Sequence, residues 1–135
     1  MAEFQRLPMS DAELEVLKIL WDCGPLPVRD VLAKLSGLGQ EWSRSTVITL
    51  LQRLEKKGYV QSDKSHFAFV FRAIVSREDE MRARMNVLAS ELCEGEPLPL
   101  MLAFTQQHRF SAEELARFRK MIDAIEPREK KRGDQ

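Results

Sequence analysis

No apolar run in this 135-residue chain approaches the roughly 18 residues that a membrane-spanning helix requires. The first residues, Met1 to Met9, also lack the basic-then-apolar order of a secretory signal, so a cytoplasmic protein is expected. There are only two cysteines, Cys23 and Cys93, far apart and in no paired motif. That spacing supports neither a disulfide framework nor a zinc site, and buried structural thiols are the expectation. The two histidines, His66 and His108, have no Cys, Asp or Glu companions at ligand spacing. A glycine-rich phosphate loop, a nucleophile elbow and a paired-carboxylate motif are all missing, so the residues point to no enzyme, no cofactor and no metal. Net charge is missing too: 21 basic residues balance 21 acidic ones. A protein that binds nucleic acid usually carries a basic surplus, so any such surface here must be local.

A local surplus does exist. Between Ser43 and Lys57, Arg44, Arg53, Lys56 and Lys57 are opposed only by Glu55, while acids gather in the first helix and the C-terminal third. Ser10-Asp11-Ala12-Glu13 is a capping box that opens a helix. In that helix Leu14, Leu17 and Trp21 recur at helical steps as the inward face, with Glu13, Glu15 and Lys18 in water. Gly24-Pro25 ends it. Pro27 opens a second helix with Val28, Val31, Leu32 and Leu35 on one stripe, and the glycines of Ser36-Gly37-Leu38-Gly39 break it. A third helix runs from an N-cap at Ser43 to about Lys57, where Gly58 stops it. A hairpin should follow: a strand at Tyr59 to Gln61, a polar turn at Ser62 to His66, and a strand at Phe67 to Ile74 with Phe67, Phe69 and Phe71 on one face. Three helices and a hairpin within this length read as a winged helix-turn-helix.

Downstream, Ser76 starts a long helix whose Met81, Met85, Leu88 and Leu92 form a narrow apolar stripe. Gly95 and Pro97 interrupt it before a cluster of Leu98, Leu100, Met101, Leu102 and Phe104 on another short helix. A second capping box, Ser111-Ala112-Glu113-Glu114, leads into Leu115, Phe118, Ile122 and Ile125. Some fifty residues of such stripes cannot enclose their own apolar surface, and pairing with a second copy would cover it. The fold class is therefore mainly α (α+β). Residues 1–75 form the winged helix-turn-helix, 76–126 a helical dimerisation segment, and 127–135 a charged tail.

The third helix divides by its own periodicity. Val47, Leu50, Leu51 and Leu54 point to a core, while Thr46, Thr49, Arg53, Lys56 and Lys57 lie on or near the other side, with Arg44 and Ser45 at the exposed start. Such a helix fits the major groove of duplex DNA, where Arg can donate twice to guanine and Thr can present a hydroxyl to a base or a methyl to thymine. The hydroxyls of Ser43 and Ser45, with the free amides of the helix start, suit phosphate. Lys64 and His66 at the hairpin tip complete the candidate DNA contacts. A reading from another class makes the domain a protein-interaction module that uses Phe67, Phe69 and Phe71 and has no direct role on DNA.

Two stretches, Ser10 to Trp21 and Trp42 to Val60, resemble the BlaI/MecI penicillinase-repressor family. The resemblance extends more weakly through Leu100-Met101-Leu102-Ala103-Phe104 to Leu115. It implies a homodimeric winged-helix repressor on a dyad-symmetric operator, contacting double-stranded DNA through the residues above. The dimer would be held by Met81, Met85, Leu88, Leu92, Leu100, Phe104, Leu115, Phe118 and Ile122. The resemblance also implies release by cleavage once a membrane sensor and metalloprotease detect an antibiotic. The bond in question would be Ala103-Phe104, where the family has Asn-Phe. The copper-responsive branch is disfavoured, because its C-terminal cysteine cluster is missing here. The chain also departs in the third helix: Arg44-Ser45-Thr46 replaces Pro-Lys-Thr, and Ile48 stands at a frequently basic position.

Overall fold

The computed structural model describes residues 6–65 and 69–127. The chain separates into two compact units, Met1–Met85 and Asn86–Gln135.

In the first unit, helix α1 (Asp11–Cys23) begins at the capping box read from the sequence. The Glu13 amide donates to Ser10 Oγ at 3.1 Å and the Ser10 amide donates to Glu13 Oε1 at 2.9 Å, so two otherwise orphaned donors are satisfied. Gly24, at φ +81°, ends the helix in backbone territory that side-chain-bearing residues avoid. The inward face differs from the expected one. Val16, Leu17, Ile19 and Leu20 are buried, whereas Leu14 and Trp21 are half-buried flanks. The helix is covered by α2, α3 and β3 together, so its buried arc is wider than a stripe repeating every three to four residues. Glu13 falls inside that arc and is buried, contrary to the expectation that it meets water.

Strand β1 (Leu26–Pro27) follows, then helix α2 (Val28–Gly37) with Pro27 as its N-cap. Val28, Val31 and Leu35 are buried and Leu32 packs at the margin of the core. Helix α3 (Arg44–Lys57) is capped by Ser43 and ends at Gly58, which is left-handed at φ +90° and ψ 19°. Strands β2 (Val60–Asp63) and β3 (Val70–Ala73) form the hairpin, and all pairing is antiparallel in the order β1-β3-β2. Val60 faces Ala73 and Leu26 faces Phe71. β3 is shorter than the strand expected at Phe67 to Ile74, while β2 starts one residue later than expected and runs on through Ser62 and Asp63, which the sequence placed in the turn. Phe71 is buried in the core, Phe69 lies before β3 and is exposed, and Phe67 lies outside the described residues. Three helices with a small sheet whose last two strands form a wing make this unit a winged helix-turn-helix.

Its core is continuous across all these elements: Val16, Leu17 and Leu20 from α1, Val31 and Leu35 from α2, Val47, Leu51 and Leu54 from α3, and Val60 and Phe71 from the wing. The start of helix α4 (Arg77–Cys93) is attached to the end of α1. Trp21 Nε1 donates to the Val75 carbonyl at 2.8 Å, and the Arg77 guanidinium lies over the Trp21 ring while bridging to Asp22 at 2.8 Å.

The second unit holds the end of α4, helix α5 (Pro97–Gln107) and helix α6 (Ala112–Ala124). The capping box at Ser111 and Glu114 is formed as expected. Phe104 stacks on His108 with centroids 4.4 Å apart, and Phe110 meets Phe118 edge-on. Ala89 is the single buried apolar residue among the described residues of this unit. The thiols also differ from expectation. Cys23, at the last position of α1 and off its buried arc, is exposed, and Cys93 is half-buried. Among the described residues, no helix is long and apolar enough to cross a membrane.

Candidate nucleic-acid interface

Helix α3 turns Val47, Leu50, Leu51 and Leu54 into the core. Arg44, Ser45, Thr46, Thr49 and Arg53 are all exposed, as their spacing predicted. Gln52 and Lys56 are exposed as well. At 100° per residue, Gln52 lies about 20° from Ser45 and about 40° from Lys56, almost opposite the buried stripe, so the sequence contained the signal for it. A search for charge and hydroxyls passes over an amide, which is why Gln52 did not stand out. Ile48 is half-buried at the edge of the core and leaves the outward face polar.

Three hydroxyls meet at the start of α3. Ser43 Oγ accepts from the Thr46 amide at 3.2 Å, lies 2.9 Å from Thr46 Oγ1 and lies 3.1 Å from Ser45 Oγ. Arg44 begins the helix beside them.

Two charges counted with this helix face elsewhere. Lys57 Nζ donates to Glu13 Oε1 at 2.7 Å and to the Pro8 carbonyl at 2.9 Å, which takes it away from the outward face where the sequence had put it. Burial pushes the Glu13 carboxyl up, but the hydrogen bonds from Lys57 and the Ser10 amide, with the charges of Lys57 and Arg53, outweigh it and hold the group below its ordinary value. The only acid between Ser43 and Lys57, Glu55, accepts from the Ser62 amide at 3.0 Å and the Ser62 hydroxyl at 2.8 Å through one carboxylate oxygen, tying α3 to the first wing strand. Near the end of α3, Arg6 Nε donates to the Gly58 carbonyl at 2.8 Å and the Tyr59 hydroxyl donates to the Leu7 carbonyl at 2.7 Å.

On the wing, Lys64 is exposed with its ammonium 5.4 Å from the centroid of the Phe69 ring, and Arg72 on β3 donates to the Gln61 side chain. Arg72 is a further exposed cation that the sequence reading did not single out. His66 lies outside the described residues. Among the described residues, no three His, Cys, Asp or Glu side chains gather as a metal site.

The residues expected to make a dimer lie on α4, α5 and α6. Met81, Met85, Leu88, Leu92, Phe104, Phe118 and Ile122 are exposed, and Leu100 and Leu115 are half-buried. The Ala103-Phe104 bond lies inside α5, in helical conformation with both residues exposed.

Residues 9–124 match the family model of the penicillinase repressor. The chain is 28% identical over 122 residues to the penicillinase repressor of Bacillus licheniformis, covering 90% of this chain and 94% of that one. It is 24% identical over 115 residues to the methicillin resistance regulatory protein MecI of Staphylococcus aureus (strain N315), covering 85% and 93%. The solution structure of the DNA binding domain of the repressor BlaI superposes with a TM-score of 0.49 at 34% identity, covering 57% of this chain and 93% of that one.

Proposed function

The chain belongs to the penicillinase repressor family, and from that premise we propose that it is a transcriptional repressor that binds double-stranded DNA as a homodimer in the cytoplasm. The observation that carries this reading is the outward face of α3. Arg44, Ser45, Thr46, Thr49 and Arg53 are exposed together, and the one acid among them, Glu55, is held against the wing. A helix of this width enters a major groove, where such donors meet base edges and phosphates. Ser43 closes the helix start, and Lys64 with His66 would extend the contact along the wing.

The exposed stripes of α4 to α6 support the dimer. Leu92, Phe104 and Ile122 are each more than half exposed in a single chain, an arrangement that a second copy would relieve. Two reading helices related by a two-fold axis match a dyad-symmetric operator and, once bound, would exclude polymerase. Cutting Ala103-Phe104 by a protease under the control of a membrane sensor would end repression by dividing the segment that holds the dimer. Because that bond is helical, the cut requires α5 to unwind locally. The alternative of a wing used only for protein contact is supported less, since Phe71 is in the core and Lys64 lies over the ring of the exposed Phe69.

Selection of a preferred duplex from a randomised pool, followed by binding measurements on Thr46→Ala, Thr49→Ala and Arg53→Ala, tests the reading. Each base-reading side chain should cost about 1 to 3 kcal/mol of affinity. If all three variants bind like the parent, α3 does not present this face to DNA.

A further inference from the structure

The two threonines of α3 are exposed one turn apart, yet their hydroxyls are in different situations. Thr46 Oγ1 is 2.9 Å from Ser43 Oγ, and the Thr46 amide donates to that same Ser43 oxygen at 3.2 Å. Ser43 Oγ has one proton to give and two lone pairs. With the Thr46 amide on one lone pair, the hydroxyls of Ser45 and Thr46 take the remaining two positions, and its hydrogen-bonding capacity is filled. The Thr46 oxygen is therefore turned back toward the cap. A staggered Cβ with its oxygen there places its methyl at one of the two other positions, on a residue that is exposed. Thr49 is the converse. Its hydroxyl makes no side-chain hydrogen bond among the described residues, not even the bond back to the preceding turn that helical threonines often form.

We infer that Thr46 reads a thymine through its methyl group, while Thr49 reads a neighbouring base through its hydroxyl. The inference rests on the DNA-binding reading and deepens it by assigning to each threonine one of the two chemistries that the residue type offers. The thymine 5-methyl is the one apolar group on the major-groove edge, so a threonine whose oxygen is engaged by the cap and whose methyl meets the groove would distinguish it from the three other bases. The Ser43 cap then has two tasks: it starts the helix, and it decides which end of Thr46 the DNA meets.

The experiment uses the full chain and the duplex it selects from a randomised pool, with each half-site thymine replaced in turn by deoxyuridine, which removes only the methyl. The parent should lose about fourfold in affinity at one thymine, the contribution of a single buried methyl. Thr46→Val should keep that loss on uracil substitution. Thr46→Ser should bind about fourfold more weakly and be indifferent to uracil at the same position. For Thr49 the order reverses, with Thr49→Val weakened more than Thr49→Ser. Thermal melts of all four variants alongside the parent separate lost contacts from lost fold. If Thr46→Ser keeps the uracil sensitivity, or if Thr46→Val loses what Thr46→Ser retains, the methyl assignment is overturned. A parent that selects a sequence but is insensitive to every uracil overturns this inference and leaves the DNA reading intact. A parent that selects no sequence overturns that reading and this inference together.

Discussion

In α1, α2 and α3 the large apolar side chains cover one another, and Leu17, Leu35, Leu51 and Leu54 have essentially no exposed surface. In α5, α6 and the end of α4 the same residue types lie open, with Leu92 at 71% and Met121 at 70% exposure. Both stretches are helical, both use capping boxes, and both have helically spaced apolar residues. Helical periodicity thus says that a face exists and not what covers it. In the first unit the cover comes from the same chain, within a domain that closes around a sheet. In the second the helices have little of their own chain to bury against, the situation expected of an interface.

The sharpest way to break this comparison is Leu92→Asp. A charge at an exposed position should leave the first unit folded while reducing the chain to a monomer in sedimentation, and affinity for a two-half-site duplex should fall by about 10²- to 10⁴-fold as the second contact loses its effective concentration. Unchanged sedimentation would mean that the second unit is covered some other way. Next in size, Leu51→Ala opens a cavity in the closed core and should cost about 2 to 5 kcal/mol in chemical denaturation, with self-association unaffected. If it instead alters association and spares stability, the two regions have been assigned the wrong way round.

A smaller effect is expected from Glu13→Gln, which tests how the closed unit tolerates the one buried acid among its described residues. Lys57 keeps about a fifth of its side chain in solvent and can turn outward, so the loss should be about 1 to 3 kcal/mol at neutral pH. The sign with pH follows from the lowered folded value. The contribution is complete above the ordinary value near 4.5 and disappears as the pH falls through the lower one, so parent and variant should converge in stability under acid. A constant gap down to strongly acidic pH would show that the carboxylate charge is not what matters there.

Local signals carried most of the fold. Ser10 with Glu13, Ser43, Gly58 and Ser111 with Glu114 mark helix ends by hydrogen bonds made within a few residues, so the boundaries were legible. What escaped depends on distant partners. Glu13 fits a capping box whether it is exposed or buried, and only Lys57, 44 positions away, makes burial tolerable. β1 is two residues long and exists because Phe71 and Val70 pair with Leu26 and Pro27. The alternation of Phe67, Phe69 and Phe71 suggested a strand face, but pairing with β2 reaches only Val70, which leaves Phe69 outside. On α3 the outward face was readable because a helix buried on one side exposes the other. Lys57 was misplaced because its long side chain reaches around to α1.

The engagement of Lys57 with Glu13 sets an upper limit on how strongly salt would weaken the DNA contact proposed for α3. Each phosphate that a cation neutralises releases close to 0.9 of a condensed counterion, which appears as the slope of log affinity against log salt. Arg44, Arg53 and Lys56 are the cations this helix leaves exposed for phosphate, and Lys57 is already neutralised within the protein. Arg53→Ala should therefore flatten the salt titration by about one if it grips phosphate, whereas Lys57→Met should leave the slope alone even as it loosens the fold. A chain with no net charge can in this way have a fixed, countable ionic contact with DNA, because its own folding determines which of its lysines and arginines remain available for exchange with the counterions around the duplex.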